Sequence, residues 1–438
     1  MKSFEILHSW DLIEDKDPLL QWTAASIAIK AYDCNLTRNL NNESISIHET
    51  ANLAMYPLAL WFARSWWRLL YETGPIWAAR RQNPYWRLAH ELHSAGEGYL
   101  WPDITFISDG SDITIIAKKT NYSHDISSIN YINDCVSSVP LRDFIDELVK
   151  CINNVFDRIG SSPLQGADTE LNTHWAAICE EMNDAGTTQY RKLEAMLGYN
   201  PDEADETFME DFIGKSTSLG TGIAEELASA TNNTSSKSII ADIESASRHM
   251  GIDGKFDLPD ICGNKIFKMA SKPWEVGRQL AVEVRNYCGQ TESKISNDVL
   301  AGLVGVNAGN LLKDTGSSPL PVGIIDNDDD TCRLLFRGTS SLSRRFQVSR
   351  LIADKLISNR DNKWLPVTKT ATRRQKIQRA FAGEFLCPFD QLSSFLDGQY
   401  DDDAIVEAAD YFEVNESVPI TQLVNHGVLP PEILSDAI

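Results

Sequence analysis

The sequence predicts a multidomain α+β protein, and three observations carry that reading. Its 438 residues are enough for two or three separate hydrophobic cores. Tryptophan is concentrated at one end: eight of the eleven (Trp10, Trp22, Trp61, Trp66, Trp67, Trp77, Trp86 and Trp101) fall in residues 1–120. The hydrophobic period also changes along the chain, from strand alternation near 104–117 to helical spacing after Pro140.

The elements follow in order. A helix is expected over 57–72, with Pro57 tolerated in its first turn, and another over 85–95. Two β-branched runs, 104–108 and 113–117, flank Asp109-Gly110-Ser111-Asp112 and read as a hairpin. Together these make 1–120 an aromatic-rich α+β domain. In 121–214, Leu141, Phe144, Ile145, Leu148, Ile152 and Phe156 recur at helical spacing, and this stretch reads as a helical region. Residues 215–255 begin with a Ser-, Thr-, Gly- and Asn-rich run with one short helical piece around Ile223 to Leu227, and read as a flexible or exposed connector. The last block, 256–438, should hold a helix opening at Pro273 and a hairpin of 321–326 with 331–336. Further helices are expected over 343–357, 372–386 and 403–412.

Composition bounds the chemistry. An apolar fraction of 42% and a charged fraction of 23% are those of an ordinary globular protein. The most apolar stretch, 55–71, carries Arg64 and Arg68 and is too short to span a bilayer. Residues 1–9 lack the continuous apolar core of a signal peptide, so a cytoplasmic protein is expected. Eight cysteines without a CxxC pair read as reduced thiols. A net charge of −22 opposes indiscriminate binding of nucleic acid.

Three ordered motifs in 256–438 carry a resemblance. Arg344-Arg345-Phe346-Gln347-Val348 leads into a helix. Phe381-Ala382-Gly383-Glu384-Phe385-Leu386-Cys387-Pro388 closes a second. A tail follows with Tyr411-Phe412-Glu413-Val414 and Leu423-Val424-Asn425-His426-Gly427. In this order they resemble the ImmA/IrrE-type zinc metallopeptidases, which implies a zincin-like C-terminal domain. In that family the first helix carries His-Glu-x-x-His: two imidazoles at i and i+4 reach one zinc, and the Glu between them is general base to the bound water. Here the two His positions correspond to Arg350 and Asp354, the Glu position to Leu351, and the third ligand position to Ile377. Between Gly251 and Ile438 His426 is the single histidine, so no two-His site can be built there. The resemblance therefore implies a degenerate metallopeptidase, a pseudo-zincin, with no catalytic residues, no metal and no cofactor.

Arg350 and Asp354 have i,i+4 spacing. The plainer expectation is a solvated salt bridge worth about 0.3–0.5 kcal/mol, set against a functional pair where the metal would sit. From Arg344 to Arg379 there are eleven basic residues and two acids. They form a solvated face, or a patch docked on the acids from Asp202 to Asp211, or Arg344, Arg345, Arg350, Arg373, Arg374, Lys376 and Arg379 make a basic cleft for nucleic acid or another anion.

Other motifs are weaker. His90-Glu91-Leu92-His93 with Glu97 resembles a zincin motif with one residue deleted, and His90, His93 and Glu97 are weak metal candidates against an ordinary helix rim. Gly214-Lys215-Ser216 lacks the upstream Gly of a phosphate loop, Met209 standing there. Asp326, Asp328 and Asp330 start like a calcium loop, but Thr331 and Arg337 replace its Gly and Glu.

Active ImmA/IrrE-type members are bacterial proteases that typically cleave a repressor. The leading expectation is accordingly a non-catalytic regulatory, sensing or scaffold protein that binds a protein partner in a bacterial stress, toxin–antitoxin or phage-defence system. A nucleic-acid-binding component using the basic cleft is the alternative. An enzyme with an unrecognised site in the N-terminal domain is the third.

Overall fold

The computed structural model describes residues 2–11, 13, 15–74, 83–123, 127–220, 222–231, 236–261, 272–311, 317–326, 331–359, 361–430 and 433. It is a mixed α+β chain of two compact units, Met1–Asp205 and Glu206–Ile438.

In the first unit β1 (Phe4–Trp10), α1 (Pro18–Trp22) and β2 (Ala24–Ala31) come first, and β1 pairs antiparallel with β2 from Phe4↔Ala31 to Trp10↔Ala25. β3 (Cys34–Asn35), β4 (Asn39–Asn41), β5 (Ser46–His48) and β6 (Ala51–Ala54) follow; β3 and β6 both pair with β2. α2 (Met55–Tyr71) starts directly from β6 and is buried on nearly every side, as its apolar circumference requires. Next are α3 (Pro84–His90), capped by Asn83, and a 3-10 turn over Leu92–Ala95. The expected hairpin is β7 (Asp103–Ser108) with β8 (Asp112–Lys118). β9 (Ile129–Tyr131) pairs with β4, and β10 (Cys135–Pro140) pairs with β8. Three helices finish the unit: α4 (Leu141–Gly160), α5 (Glu170–Asn183) and α6 (Ala185–Met196).

The core of this unit gathers Phe4, Phe62, Trp66, Phe106 and Phe144, with the rings of Phe4 and Phe144 4.9 Å apart. The break expected at residue 120 thus falls inside one unit, because β8 takes β10 as a partner and α4 packs on α2.

The second unit opens with α7 (Glu206–Thr217), most of which falls in the expected helical region, then α8 (Ile223–Thr231), which contains the short helical piece expected at 223–227, and α9 (Ser236–Arg248), which stands where the connector is expected. Ile223, Leu227 and Ala228 are buried, and the carbonyl of Leu219 accepts hydrogen bonds from the backbone of Lys363 and Trp364 at 2.9 and 3.1 Å. Polar composition misled here because a few buried positions suffice to dock short helices. Gly214-Lys215-Ser216 lies inside α7, where Lys215 pairs with Asp211 and Glu244, each at 2.9 Å.

After β11 (Ile252–Lys255) come α10 (Pro273–Tyr287), α11 (Asn297–Leu303) and α12 (Ala308–Leu311). The second expected hairpin is β12 (Val322–Ile325) with β13 (Thr331–Leu335); its turn, with Asp328 and Asp330, lies outside the described residues. α13 (Ser341–Ile357), β14 (Trp364–Pro366), α14 (Arg373–Leu386), α15 (Phe389–Leu396), α16 (Asp402–Phe412) and α17 (Ser417–Asn425) complete it. The sheet runs β11-β13-β12-β14, all antiparallel. Leu351 of α13 and Phe381 and Phe385 of α14 sit in the core of this unit.

α10 and α14 approach closely at Gly277, where an added Cβ would stand 2.6 Å from the Ile377 carbonyl oxygen and 2.7 Å from the Ala380 Cβ. Backbone cannot give way there as a flexible side chain would. Gly277→Ala should therefore cost about 1–3 kcal/mol by overpacking, read as a lower urea midpoint of the full chain. An unchanged midpoint would contradict this packing.

Candidate functional site: a buried polar cluster between two helices

α13 begins at the Ser340 cap and α14 at the Thr372 cap, whose hydroxyl accepts from the Gln375 amide. These two helices face each other, and Arg350, Leu351, Asp354 and Ile377, the positions singled out by the resemblance, lie on them. Leu351 is fully buried among apolar neighbours and Ile377 nearly so. Arg350 and Asp354 are buried as well, but not as the pair their spacing suggested. Asp354 takes both its hydrogen bonds from Arg374 across the helix contact, Nε to Oδ1 at 2.6 Å and Nη2 to Oδ2 at 2.8 Å. Arg374 Nη2 also donates to Ser358 Oγ at 2.9 Å. The solvated i,i+4 bridge is replaced by a buried, bidentate, interhelical one. A fork-shaped guanidinium on the facing helix matches both carboxylate oxygens, which Arg350 one turn away does not.

Arg350 turns instead to the β14–α14 connection. Its Nη2 donates to the Thr368 carbonyl at 2.6 Å and to Gln375 Oε1. Gln375 is the hub: its Oε1 also accepts from the Thr368 amide at 3.0 Å, and its Nε2 donates to Glu226 Oε2 and to the Pro366 carbonyl, each at 3.0 Å. Thr368, Thr370 and Thr372 form a hydroxyl row ending at Glu226 Oε2, 3.0 Å from Thr372 Oγ1. Glu226 comes from α8, in the segment read as an exposed connector. No motif flagged it, although Ile223 and Leu227 beside it mark a buried helical face.

The electrostatics follow from burial. Desolvation lowers the Arg350 pKa to about 9, with Arg379 adding repulsion and Asp354 and Glu226 opposing. Burial likewise pushes Arg379 down to about 10. For Arg374, burial works against the charge but Asp354 outweighs it, so its pKa rises. Glu226 is held above the usual carboxylate range by burial, in spite of Arg374 and its two hydrogen-bond donors.

Four of the seven basic residues expected to make a cleft, Arg344, Arg345, Arg350 and Arg374, are committed inside the unit. Arg344 is buried, donates to the Gly338 carbonyl and lies over the Phe336 ring. Arg345 is buried too, donating to the Glu413 and Ile295 carbonyls and pairing with the Glu413 carboxylate at 3.2 Å. Arg350 and Arg374 are committed as above, Arg373 and Lys376 are partly exposed, and Lys363 and Lys369 of the same segment are exposed. Among the acids at 202–211, Asp202 pairs with Arg191 at 2.8 Å and Asp211 with Lys215 at 2.9 Å.

The first unit does not bring His90, His93 and Glu97 together. His90 is buried, stacked on Trp86 at 4.3 Å, with Nδ1 3.0 Å from the Phe106 carbonyl and Nε2 3.2 Å from Glu72 Oε2. Both ring nitrogens are thus engaged inside the core, away from the exposed His93 and Glu97. Glu72 also pairs with Arg68 at 2.7 Å. Burial would raise its pKa, but His90 and Arg68 hold it below the usual range. His93 and Glu97 are exposed, His93 pairing with Glu91 at 3.2 Å. Among the described residues no three His, Cys, Asp or Glu side chains gather as metal ligands.

Comparison with protein-family models, with curated proteins and with solved structures gave no match.

Because the Glu226 pKa is raised in the folded state, the folded chain binds the extra proton. Stability should fall as pH rises from the ordinary value of 4.5 through the raised one. Glu226→Gln keeps an acceptor for Thr372 and Gln375 and should remove that fall, leaving the protein at least as stable at neutral pH. Urea midpoints of both chains across this interval check it; the same pH slope in the variant would contradict the assignment.

Proposed function

We propose that the second unit is an ImmA/IrrE-like pseudo-zincin module that recognises a protein partner without cleaving it, in a bacterial stress, toxin–antitoxin or phage-defence system. The observation that carries this reading is the filling of the ligand positions. Arg350 and Asp354 hydrogen-bond to the helix and connection opposite, while Leu351 and Ile377 pack in apolar surroundings. A guanidinium offers no lone pair to a metal, and neither leucine nor isoleucine can act as general base or ligand. Asp354, the one potential ligand left, has both carboxylate oxygens taken by Arg374.

A protein partner is favoured over nucleic acid by where the cations point. Phosphate contacts need guanidinium and ammonium groups on the surface, and four of the seven candidates are spent inside the unit. Among the described residues no helix is long and apolar enough to cross a membrane. An enzyme site in the first unit gains no support from the His90 region, whose ring is enclosed in the core.

Elemental analysis of the purified full chain should find zinc well below stoichiometry, even after incubation with the metal and removal of excess. One tightly held zinc per chain would sink the pseudo-zincin reading. A mobility-shift titration with duplex DNA and single-stranded RNA at physiological salt should show no complex. A shift that weakens with salt and is lost on changing Arg373 and Lys376 to Ala would instead favour the nucleic-acid alternative.

A further inference from the structure

Away from the polar cluster, the second unit holds a cavity of about 670 Å³, lined by α10, α14, α15 and α16 and the residues between them. This volume lies within the range of about 300–1,000 Å³ typical of ligand sites. One wall is aromatic. Phe395 of α15 and Tyr411 of α16 stack at 4.9 Å, yet remain 41% and 45% exposed. Val282 of α10 adds an aliphatic edge that is 48% exposed. Aromatic surface left open inside a concavity is the composition of an interaction hot spot, not of a solvated rim.

The charge on the cavity is one-sided. Three carboxylates line it, Glu292, Glu384 and Asp390, against the single guanidinium of Arg285. That guanidinium is buried and donates to the Phe385 carbonyl at 2.6 Å and to the Ser293 carbonyl, so it is turned to the backbone. Glu384 is buried beneath the wall and accepts from Gln422 Nε2 at 3.0 Å, with Arg278 Nε 3.7 Å away. Glu292 and Asp390 stand exposed. Lys294 places its ammonium 5.7 Å from the Tyr411 ring, and that ammonium is already paired with Glu413 at 3.1 Å.

From this juxtaposition we propose that the cavity is the docking site for a protein segment presenting an arginine or lysine beside an apolar residue. The proposal rests on the partner-binding reading of this unit and names its chemistry. The cationic head meets the Glu292 and Asp390 carboxylates, and its aliphatic stem lies along the Phe395 and Tyr411 rings. A chain of net charge −22 steers such a basic partner toward itself.

The test is fluorescence anisotropy of the full chain with a labelled peptide, Leu-Arg-Phe-Arg-Leu, and a control in which glutamate replaces both arginines. The arginine peptide should bind saturably, more weakly as salt rises, and the control at least about tenfold more weakly. Glu292→Lys with Asp390→Lys should weaken the arginine peptide by at least about tenfold, and Tyr411→Ala should do so separately. Both acids are exposed, and an unchanged thermal melt will show that the doubly reversed chain is folded. No saturable binding, equal binding of the two peptides, or full affinity after charge reversal would overturn the proposal. These outcomes are independent of zinc content, so losing the cavity leaves the pseudo-zincin reading to stand or fall on its own measurement.

Discussion

The second unit is organised by a carboxylate and a guanidinium that share two hydrogen bonds between α13 and α14. Asp354 is fully buried and Arg374 nearly so, and each would be costly to bury alone. Their pairing sets the rotation of one helix against the other, and that rotation aims Arg350 at the Thr368 carbonyl and Gln375 at Glu226. The apolar core below, with Leu351, Phe381 and Phe385, packs in the same register. Removing one partner of such a pair typically costs about 3–5 kcal/mol, mostly because the other charge is left uncompensated.

A metal centre and an ion pair solve a similar packing problem by different means. A zinc site joins helices through ligands that must stay deprotonated and keeps an open position for water. A carboxylate–guanidinium pair joins them without any open coordination position. In this unit the pair fixes two helices to each other. Around it, α8 supplies Glu226 and closes the network from a third side. Away from this network, the aromatic wall of Phe395 and Tyr411 is exposed.

Much of the secondary structure was legible because it rests on local chemistry. The 104–117 hairpin, the helix from Pro273 and the helices over 341–357 and 373–386 all carry period or capping signals. The β1–β2 pairing was not, since β2 reads Ala-Ala-Ser-Ile-Ala-Ile-Lys-Ala and is covered on both faces, so alternation is weak. At the site, the want of a histidine pair in 251–438 could be read residue by residue. The partner of Asp354 could not, because i,i+4 spacing pointed to Arg350 while the helix crossing brings Arg374. Glu226 and the threonine row were invisible for the same reason: their roles exist only across elements far apart in sequence. Charge density misled most at 344–379, where guanidiniums counted as surface are hydrogen-bonded to buried carbonyls.

The central claim is that Asp354 and Arg374 act as one buried unit holding α13 to α14. A double-mutant cycle on the full chain tests it most directly, using Asp354→Asn, Arg374→Met and the two combined, with stability read from urea unfolding. The account predicts a coupling of about 2–3 kcal/mol, with the double variant less damaged than the single changes would sum to. A coupling below about 0.5 kcal/mol would contradict it, because the two side chains would then contribute independently.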